Sequence, residues 1–157
     1  MKVYRVLLSP ALLAIVLAGG WVAWWTSAPA QAAGTWNTIS VPVRGVVAGK
    51  AETVRFSGQA KVESKIAPDP DFNRPTLVLT IDLSGVGGEG AQSRARYVIS
   101  GPEQQNRSVT DWYLLEFDFP FARSGSDLPT TRSGTATFAL TVDTTTGAVT
   151  SASASIK

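Results

Sequence analysis

Apolar and polar residues alternate with a period of two over most of the chain beyond residue 50. In the clearest stretch, Val54, Phe56, Ala60 and Val62 alternate with charged or polar residues. A period of two places apolar side chains on one face of a β-strand and polar side chains on the other. No window of eleven or more residues in 31–157 sustains the 3.6-residue apolar period of a helix. The pattern therefore indicates antiparallel strands with one buried face and one solvated face.

Seven segments carry this alternation or a weaker form of it, and clusters rich in Gly, Pro, Asn and Asp separate most of them. Such strands with regular turns predict an all-β domain, an antiparallel seven-stranded β-sandwich, with a small β-barrel as the alternative. Pro42 has no amide hydrogen to donate, so we expect the first strand to lie at a sheet edge. The predicted strands are 36–47, 54–66, 76–83, 94–99, 112–121, 137–142 and 148–156, with turns at 68–75, 85–90 and 143–147.

Residues 1–30 have the composition of a secretory signal peptide. Two basic residues precede an uncharged stretch at 6–25, and Ala28-Pro29-Ala30 supplies a small-residue cleavage motif. We therefore expect export of the body, residues 31–157, as a single periplasmic or secreted all-β domain. The alternative is an uncleaved N-terminal anchor helix, because about twenty residues rise roughly 30 Å as a helix and can span a bilayer. Membrane contact is expected only through that segment, if it stays uncleaved.

Charge and composition exclude several classes of function. The net charge of +2 comes from Lys2 and Arg5, which leaves 12 basic residues (14 − 2) against 12 acidic residues in 31–157. A neutral body gives no reason to expect nucleic acid as a partner. The chain has no Cys and no His, which excludes disulfides, thiolate nucleophiles, imidazole catalysis and zinc sites built from Cys and His. We therefore predict a non-enzymatic domain with no catalytic residue and no cofactor.

A glycine-rich segment, Gly85–Gly90, spells G-x-G-x-x-G directly after a predicted strand. In a dinucleotide-binding fold this motif opens a helix whose N-terminus meets the pyrophosphate. Residues 91–100 have strand spacing instead, so the helix that the motif needs is missing. We therefore predict a flexible turn at 85–90 and no nucleotide site.

A second loop offers the only metal hypothesis. Asp69, Asp71 and Asn73 place three oxygen-bearing side chains at alternating positions, as at the start of a calcium loop. Arg74 and Thr80 stand where the EF-hand requires Gly and a bidentate Glu. We therefore favour an ordinary turn formed by Asp and Pro, and a calcium site of another kind is the alternative.

A candidate ligand or partner surface follows the solvated face of the strand at 112–121. Trp112, Leu114, Glu116 and Asp118 alternate with apolar residues and therefore share that face. An aromatic residue on an otherwise wet face marks a contact surface for a polysaccharide or protein partner. Two carboxylates beside an aromatic platform are also the parts of a glycosidase site.

Two arginines are predicted to belong to the same surface. If 94–100 and 109–121 form a hairpin, Arg94 and Arg96 lie across from Glu116 and Asp118 on the wet face. Opposite charges in such cross-strand pairs stabilise a sheet by roughly 0.2–1 kcal/mol each. This pairing accounts for the four charges without any catalytic role.

Three function classes remain. We expect first an exported, non-enzymatic β-domain that binds a ligand, polysaccharide or protein partner through a sheet face or its loops. The alternative is a structural or assembly subunit that pairs with other chains through edge strands. A second alternative is a carboxylate- or metal-dependent hydrolase.

Overall fold

The computed structural model of the protein describes residues 34–69, 74–125 and 131–157. Within these ranges the chain forms nine β-strands and no helix. The all-β prediction is therefore confirmed, whereas the predicted N-terminal helix lies outside the described residues. The strands are β1 (Asn37–Val47), β2 (Val54–Pro68), β3 (Pro75–Asp82), β4 (Val86–Gly90), β5 (Arg96–Ile99), β6 (Pro102–Ser108), β7 (Trp112–Arg123), β8 (Arg132–Val142) and β9 (Val149–Ile156).

Seven of these strands close into a barrel. They follow the order β1-β9-β8-β7-β5-β4-β2, and β2 pairs with β1 to complete the ring. Neighbouring strands are antiparallel except β1 and β9, whose short parallel pairing sets Val43 opposite Ala154 and Gly45 opposite Ile156. The described strands thus form one continuous sheet that closes on itself. This architecture fits the barrel alternative and takes the place of the predicted sandwich.

The long strand β2 joins the barrel to a two-stranded extension. One edge of β2 pairs with β1, while the other edge pairs with β4 over Val54–Gly58 and with β3 over Lys61–Pro68. The strand β6 then pairs with β3. A strand of 15 residues is roughly 50 Å long, which gives β2 room for two successive partners on the same edge.

The core is built from the apolar positions that the period of two placed on one face. Phe56, Phe119 and Phe121 pack edge to face or tilted, with ring centroids 5.0 to 6.0 Å apart. Phe117 stacks on Phe138 at 6.0 Å. The largest fully buried side chains are Phe121, Phe138, Leu77, Leu79, Ile81, Leu83, Leu140, Val41, Val43, Val54, Val62 and Val86. Side chains therefore fill the interior between the strands.

The segment predicted as a flexible turn at 85–90 is instead strand β4. It pairs with β2 on one side and with β5 on the other. The glycine at 88 has a packing reason, because an added Cβ there would meet the side chains of Phe56, Val54 and Tyr97. Pairing on both edges and close packing on one face override the weak strand preference of glycine.

Strand β6 is the element that the hydrophobic pattern did not indicate. Its residues Pro102–Ser108 are all polar after the proline, and none of them is buried. Glu103 and Gln105 lie opposite Ile81 and Leu79 of β3, so polar residues occupy positions that are apolar elsewhere in the sheet. A strand that pairs along one edge only does not need an apolar face, and polar inward positions also protect an edge from wrong pairing.

Strand β1 is not the edge strand that Pro42 predicted. It pairs with β2 over its whole length and also with β9 at Val43–Gly45. The second pairing begins one residue after Pro42. Pro42 therefore lies just outside the stretch that pairs with β9, so its missing amide hydrogen does not disturb that pairing. Val43–Gly45 then pair with β9 and close the barrel.

Candidate functional site

Trp112 and Leu114 form an exposed apolar pair on the outer face of β7. Trp112 is 56% exposed and Leu114 is 58% exposed, whereas the intervening Tyr113 and the next inward residue, Leu115, are buried. The buried Tyr113 hydroxyl donates to the Ser108 carbonyl at 2.7 Å, which anchors the start of the strand. The predicted exposure of this face is therefore confirmed.

The strands beside this pair carry short hydroxyl side chains on the same outer face. Trp112 lies opposite Thr141 of β8, which lies opposite Ser151 of β9. In the next row, Leu114 lies opposite Ala139, and Ala139 lies opposite Ser153. We call this surface the tryptophan face and define it by Trp112, Leu114, Ala139, Thr141, Ser151 and Ser153.

Glu116 and Asp118 continue the outer face of β7, and each contacts a neighbouring side chain. The Lys157 ammonium lies 3.3 Å from Glu116 Oε2, and the Thr135 hydroxyl donates to Asp118 Oδ1 at 2.8 Å. Both partners come from the β8–β9 side of the sheet. These contacts account for the two carboxylates, and nothing in the described residues favours them as a catalytic pair.

The predicted pairing of Arg94 and Arg96 with these carboxylates is wrong. Strands β5 and β7 do pair, but Tyr97 lies opposite Arg123 and Ile99 lies opposite Phe121. This register places Arg96 level with Ser124, roughly 20 Å along β7 from Asp118. The predicted hairpin does not form, because β6 lies between β5 and β7 in the chain and pairs with β3 outside the barrel.

Arg94 and Arg96 instead belong to a cluster around Glu89. On the outer face Glu89 of β4 lies between Arg55 of β2 and Arg96 of β5, one residue from each strand. Arg94 Nη1 lies 2.7 Å from Glu89 Oε1, and this hydrogen bond raises the pKa of Arg94 above its usual value. Among the described residues, neither Arg55 nor Arg96 has an acidic group within 4.0 Å.

The same residues border a concavity of about 630 Å³ on the outer surface of β2, β4 and β5. Gly87 lies beside Glu89 along β4, and an added Cβ there would meet no described atom within 4 Å. Val98, which is 47% exposed, lies opposite Gly87 on β5, and Ser57 lies opposite it on β2. We call this concavity, with Arg55, Arg94 and Arg96 around it, the arginine groove.

A buried carboxylate that the sequence did not single out supports the turn beside this groove. Glu52 Oε1 accepts the amides of Gln92 and Ser93 at 3.0 and 2.6 Å, and Oε2 accepts the hydroxyls of Ser93 and Tyr97 at 2.8 and 3.0 Å. The hydrogen bonds from Ser93, and then those from Tyr97 and Gln92, lower the pKa of Glu52 from 4.5 to about 2. Arg132 donates to the Glu52 carbonyl at 2.8 Å.

No local signal marks Glu52, because its partners lie about forty residues later in the chain. A period-two pattern reports which face of a strand is buried, and Glu52 precedes β2 in a connecting segment. Gly90 is related to Glu52, since an added Cβ there would collide with the Glu52 carboxylate. This reason for a glycine at position 90 can be recognised only from the folded structure.

The calcium hypothesis is only partly covered by the described residues. Asp71 and Asn73 lie outside them. Asp69 is described, with its amide donating to the Arg74 carbonyl at 2.8 Å and its Oδ2 accepting the Thr76 hydroxyl at 3.4 Å. No group of three or more His, Cys, Asp or Glu side chains that could hold a metal occurs in the described ranges. Calcium binding at this loop stays a prediction.

No protein-family model, curated protein or solved structure matches this chain. Any functional proposal therefore depends on the geometry of the tryptophan face and the arginine groove. In the part of the chain that the structure describes, no helix has the length and apolar character needed to cross a membrane.

Proposed function

We propose that residues 31–157 act as an exported, non-enzymatic binding domain that contacts a polysaccharide through the tryptophan face. The observation that carries the proposal is the exposure of Trp112 and Leu114, each more than half accessible, beside rows of hydroxyl side chains. Export rests on the signal-peptide composition of residues 1–30.

The chemistry of this surface suits a sugar polymer. An indole ring offers a rigid apolar plate with an N–H donor at its edge, and the C–H faces of a sugar ring can lie against such a plate. The hydroxyls of Thr141, Ser151 and Ser153 can each donate and accept hydrogen bonds, which matches the hydroxyls around a sugar ring. The nearest charges on β7, Glu116 and Asp118, already contact Lys157 and Thr135.

A protein partner fits the same surface less well. The energetic centres of protein interfaces are rich in Trp, Tyr and Arg and poor in Leu, Ser, Thr and Val. The tryptophan face has one aromatic residue, and its other members are aliphatic or hydroxyl side chains. A glycan can stack on Trp112 and form hydrogen bonds with the hydroxyl side chains, so it can contact more of the tryptophan face than a protein partner can.

The test is retention of the purified protein on a panel of insoluble polysaccharides, including cellulose, chitin, xylan and peptidoglycan. Replacement of the indole in Trp112→Ala should weaken retention on the bound polymer at least tenfold, while circular dichroism stays unchanged. Trp36→Ala is the matched control, because Trp36 is also exposed but lies against Lys65, with the ammonium 4.4 Å from the ring centroid. Equal losses in both variants, or no retention on any polymer, would contradict the proposal.

The open edge of β7 favours a second candidate, assembly of identical chains. Strand β5 pairs with β7 only near its C-terminal end, from Ile99 opposite Phe121 onward. Among the described residues, Trp112–Phe119 therefore have a strand partner, β8, on one side only. An unpaired apolar edge can add a strand from a second copy.

Sedimentation velocity from about 10 to 500 µM distinguishes this candidate from the first. Edge pairing predicts a dimer whose fraction rises with concentration and falls in Leu114→Lys, which places a charge on the exposed side of that edge. A monomer over the whole range would contradict assembly and would leave the polysaccharide proposal in place.

A further inference from the structure

We propose that the arginine groove is a binding site for an oxyanion, a carboxylate, sulfate or phosphate group carried by a ligand. Nothing in the polysaccharide proposal depends on this site. The groove lies on β2, β4 and β5, whereas the tryptophan face lies on β7, β8 and β9.

The charge of the groove differs from that of the rest of the domain. Three arginines and one glutamate give it a net charge of +2 (3 − 1), within a body that is neutral overall. Arg94 is held by Glu89 at 2.7 Å, while Arg55 and Arg96 have no ion-pair partner among the described residues. A guanidinium presents several N–H donors in a fixed plane, which suits two-point contact with an oxyanion.

The shape of the groove supports the same conclusion. Its volume of about 630 Å³ lies within the range of roughly 300–1,000 Å³ that is typical of small-molecule sites. Gly87 leaves bare backbone at the floor, because no described atom lies within 4 Å of the position of an added Cβ. Val98 gives an apolar wall, and Ser57 and Ser124 give hydroxyls.

The arginine at the rim is held in place by a braced turn. Arg94 has a φ of 57°, a left-handed conformation that is uncommon for a residue with a side chain. The turn that imposes it is fixed by hydrogen bonds from Ser93 to the buried Glu52 carboxylate and from the Gly90 amide to the Ala95 carbonyl at 2.9 Å. Backbone strain that the surroundings enforce is a mark of functional sites, and here it directs Arg94 toward Glu89 at the edge of the groove.

The position of Glu89 sets where the oxyanion binds. Glu89 and Gly87 are two residues apart on β4, which is about 7 Å along the strand. Gly87 lies between Ser57 and Val98, in the row next to the one formed by Arg55, Glu89 and Arg96. A negative group over Gly87 can therefore be reached by the long side chains of Arg55 and Arg96 and avoids direct contact with the Glu89 carboxylate. Removing the charge of Glu89 should therefore strengthen binding of an anion, whereas removing either arginine should weaken it.

The test titrates the purified full-length protein with inorganic phosphate, sulfate and glucuronate at low ionic strength and follows binding by calorimetry. The expected result is binding of at least one of the three anions, weakened at least tenfold in Arg55→Gln and in Arg96→Gln. Binding should tighten at least threefold in Glu89→Gln. Which anion binds most tightly identifies whether a phosphate, sulfate or carboxylate ligand is the natural one.

Two further variants separate a built site from general charge attraction. Gly87→Val fills the floor of the groove without changing the charge, so it should abolish binding while the thermal midpoint stays within a few degrees of the wild type. Arg44→Gln removes an exposed arginine on β1 and should change the affinity less than twofold. No binding of the three anions up to 50 mM, or an equal loss in Arg44→Gln, would overturn the proposal. Trp112→Ala should leave anion binding intact, which keeps the two functional tests independent.

Discussion

Glu52 and Ser64 are both buried polar residues, but they differ in whether their side chains make hydrogen bonds. The Glu52 carboxylate accepts four hydrogen bonds from the turn at residues 92–93 and from Tyr97. The Ser64 hydroxyl, 1% exposed on β2, has no hydrogen-bond partner among the described residues. Since a buried polar group stabilises the fold only when its hydrogen bonds are made, the two side chains should respond to substitution in opposite directions.

The first prediction concerns Glu52 and pH. The folded-state pKa of Glu52 is about 2, below its usual value of 4.5, so the unfolded state binds more protons between these values. The stabilisation from Glu52 is therefore complete above about pH 4.5 and is lost as the pH falls toward 2. In Glu52→Gln the urea midpoint should be lower at pH 7, and the gap to wild type should shrink as the pH falls from 4.5 to 2.

Glu116→Gln is the matched control for Glu52, because that glutamate is exposed and contacts the exposed Lys157 ammonium at 3.3 Å. Its urea midpoint should follow the wild-type curve closely over the same pH range. A gap between wild type and Glu52→Gln that stays constant down to pH 2 would show that the hydrogen bonds do not depend on the charge of Glu52.

The second prediction concerns Ser64. Ser64→Ala removes the orphan hydroxyl with little change in volume, so the free energy of unfolding should rise by about 1 kcal/mol in urea denaturation. Ser153→Ala on the exposed face of β9 should change it by less than about 0.5 kcal/mol. A loss of stability in Ser64→Ala would mean that the hydroxyl is hydrogen-bonded in solution.

Barrel closure depends on one short contact between the first and last strands. β1 and β9 pair in parallel over three residues, and Gly45 lies opposite Ile156. An added Cβ at Gly45 would overlap the Ile156 carbonyl. The absence of a side chain at this position therefore allows the two strands to approach closely enough to close the ring.

The third prediction tests this closure. Gly45→Val should force β1 and β9 apart and lower the free energy of unfolding by about 1–3 kcal/mol, as overpacking of a tight site does. Gly87→Val is the matched control, since the same substitution on β4 meets no described atom within 4 Å. Equal urea midpoints for the two variants would show that the β1–β9 contact does not hold the barrel closed.

At the scale of the whole molecule, the charges fall into two groups. Residues 1–30 carry the net charge of +2, and residues 31–157 are neutral. That nucleic acid is not a partner stays a prediction, which rests on this neutral composition. The local charge of the arginine groove is therefore balanced by acidic residues elsewhere on the domain, and its attraction for anions is short-ranged in physiological salt.

The fourth prediction concerns export. If residues 1–30 are a cleaved signal peptide, the exported protein begins at Gln31, and N-terminal sequencing with intact mass will show the loss of thirty residues. Replacing Lys2 and Arg5 with glutamate should block export, because the positive start of a signal peptide is removed. A full-length protein in the membrane fraction would instead support the uncleaved anchor.

The alternation of residues was sufficient to predict the buried faces of β2, β3, β7 and β8 and the exposure of Trp112 and Leu114. The alternation did not predict β4, because its glycines are typical of a turn, and it did not predict β6, because that strand lacks an apolar face. It also misplaced Arg94 and Arg96, because the register of β5 against β7 depends on where β6 leaves the barrel. The metal hypothesis at Asp69, Asp71 and Asn73 stays a prediction.

The sequence by itself determined that the described part of the chain is all-β, that residues 31–157 are neutral and which side of most strands is buried. These properties depend on residues close together in the chain. Only the tertiary structure decided that the sheet closes into a barrel and that Glu52 braces the turn at Ser93. It also decided that Arg55, Glu89 and Arg96 meet around one groove. Barrel closure, the contact of Glu52 with Ser93 and the approach of Arg55 to Arg96 each join residues roughly forty or more positions apart. Strand pairing across such distances is set by the competition among all strands for partners.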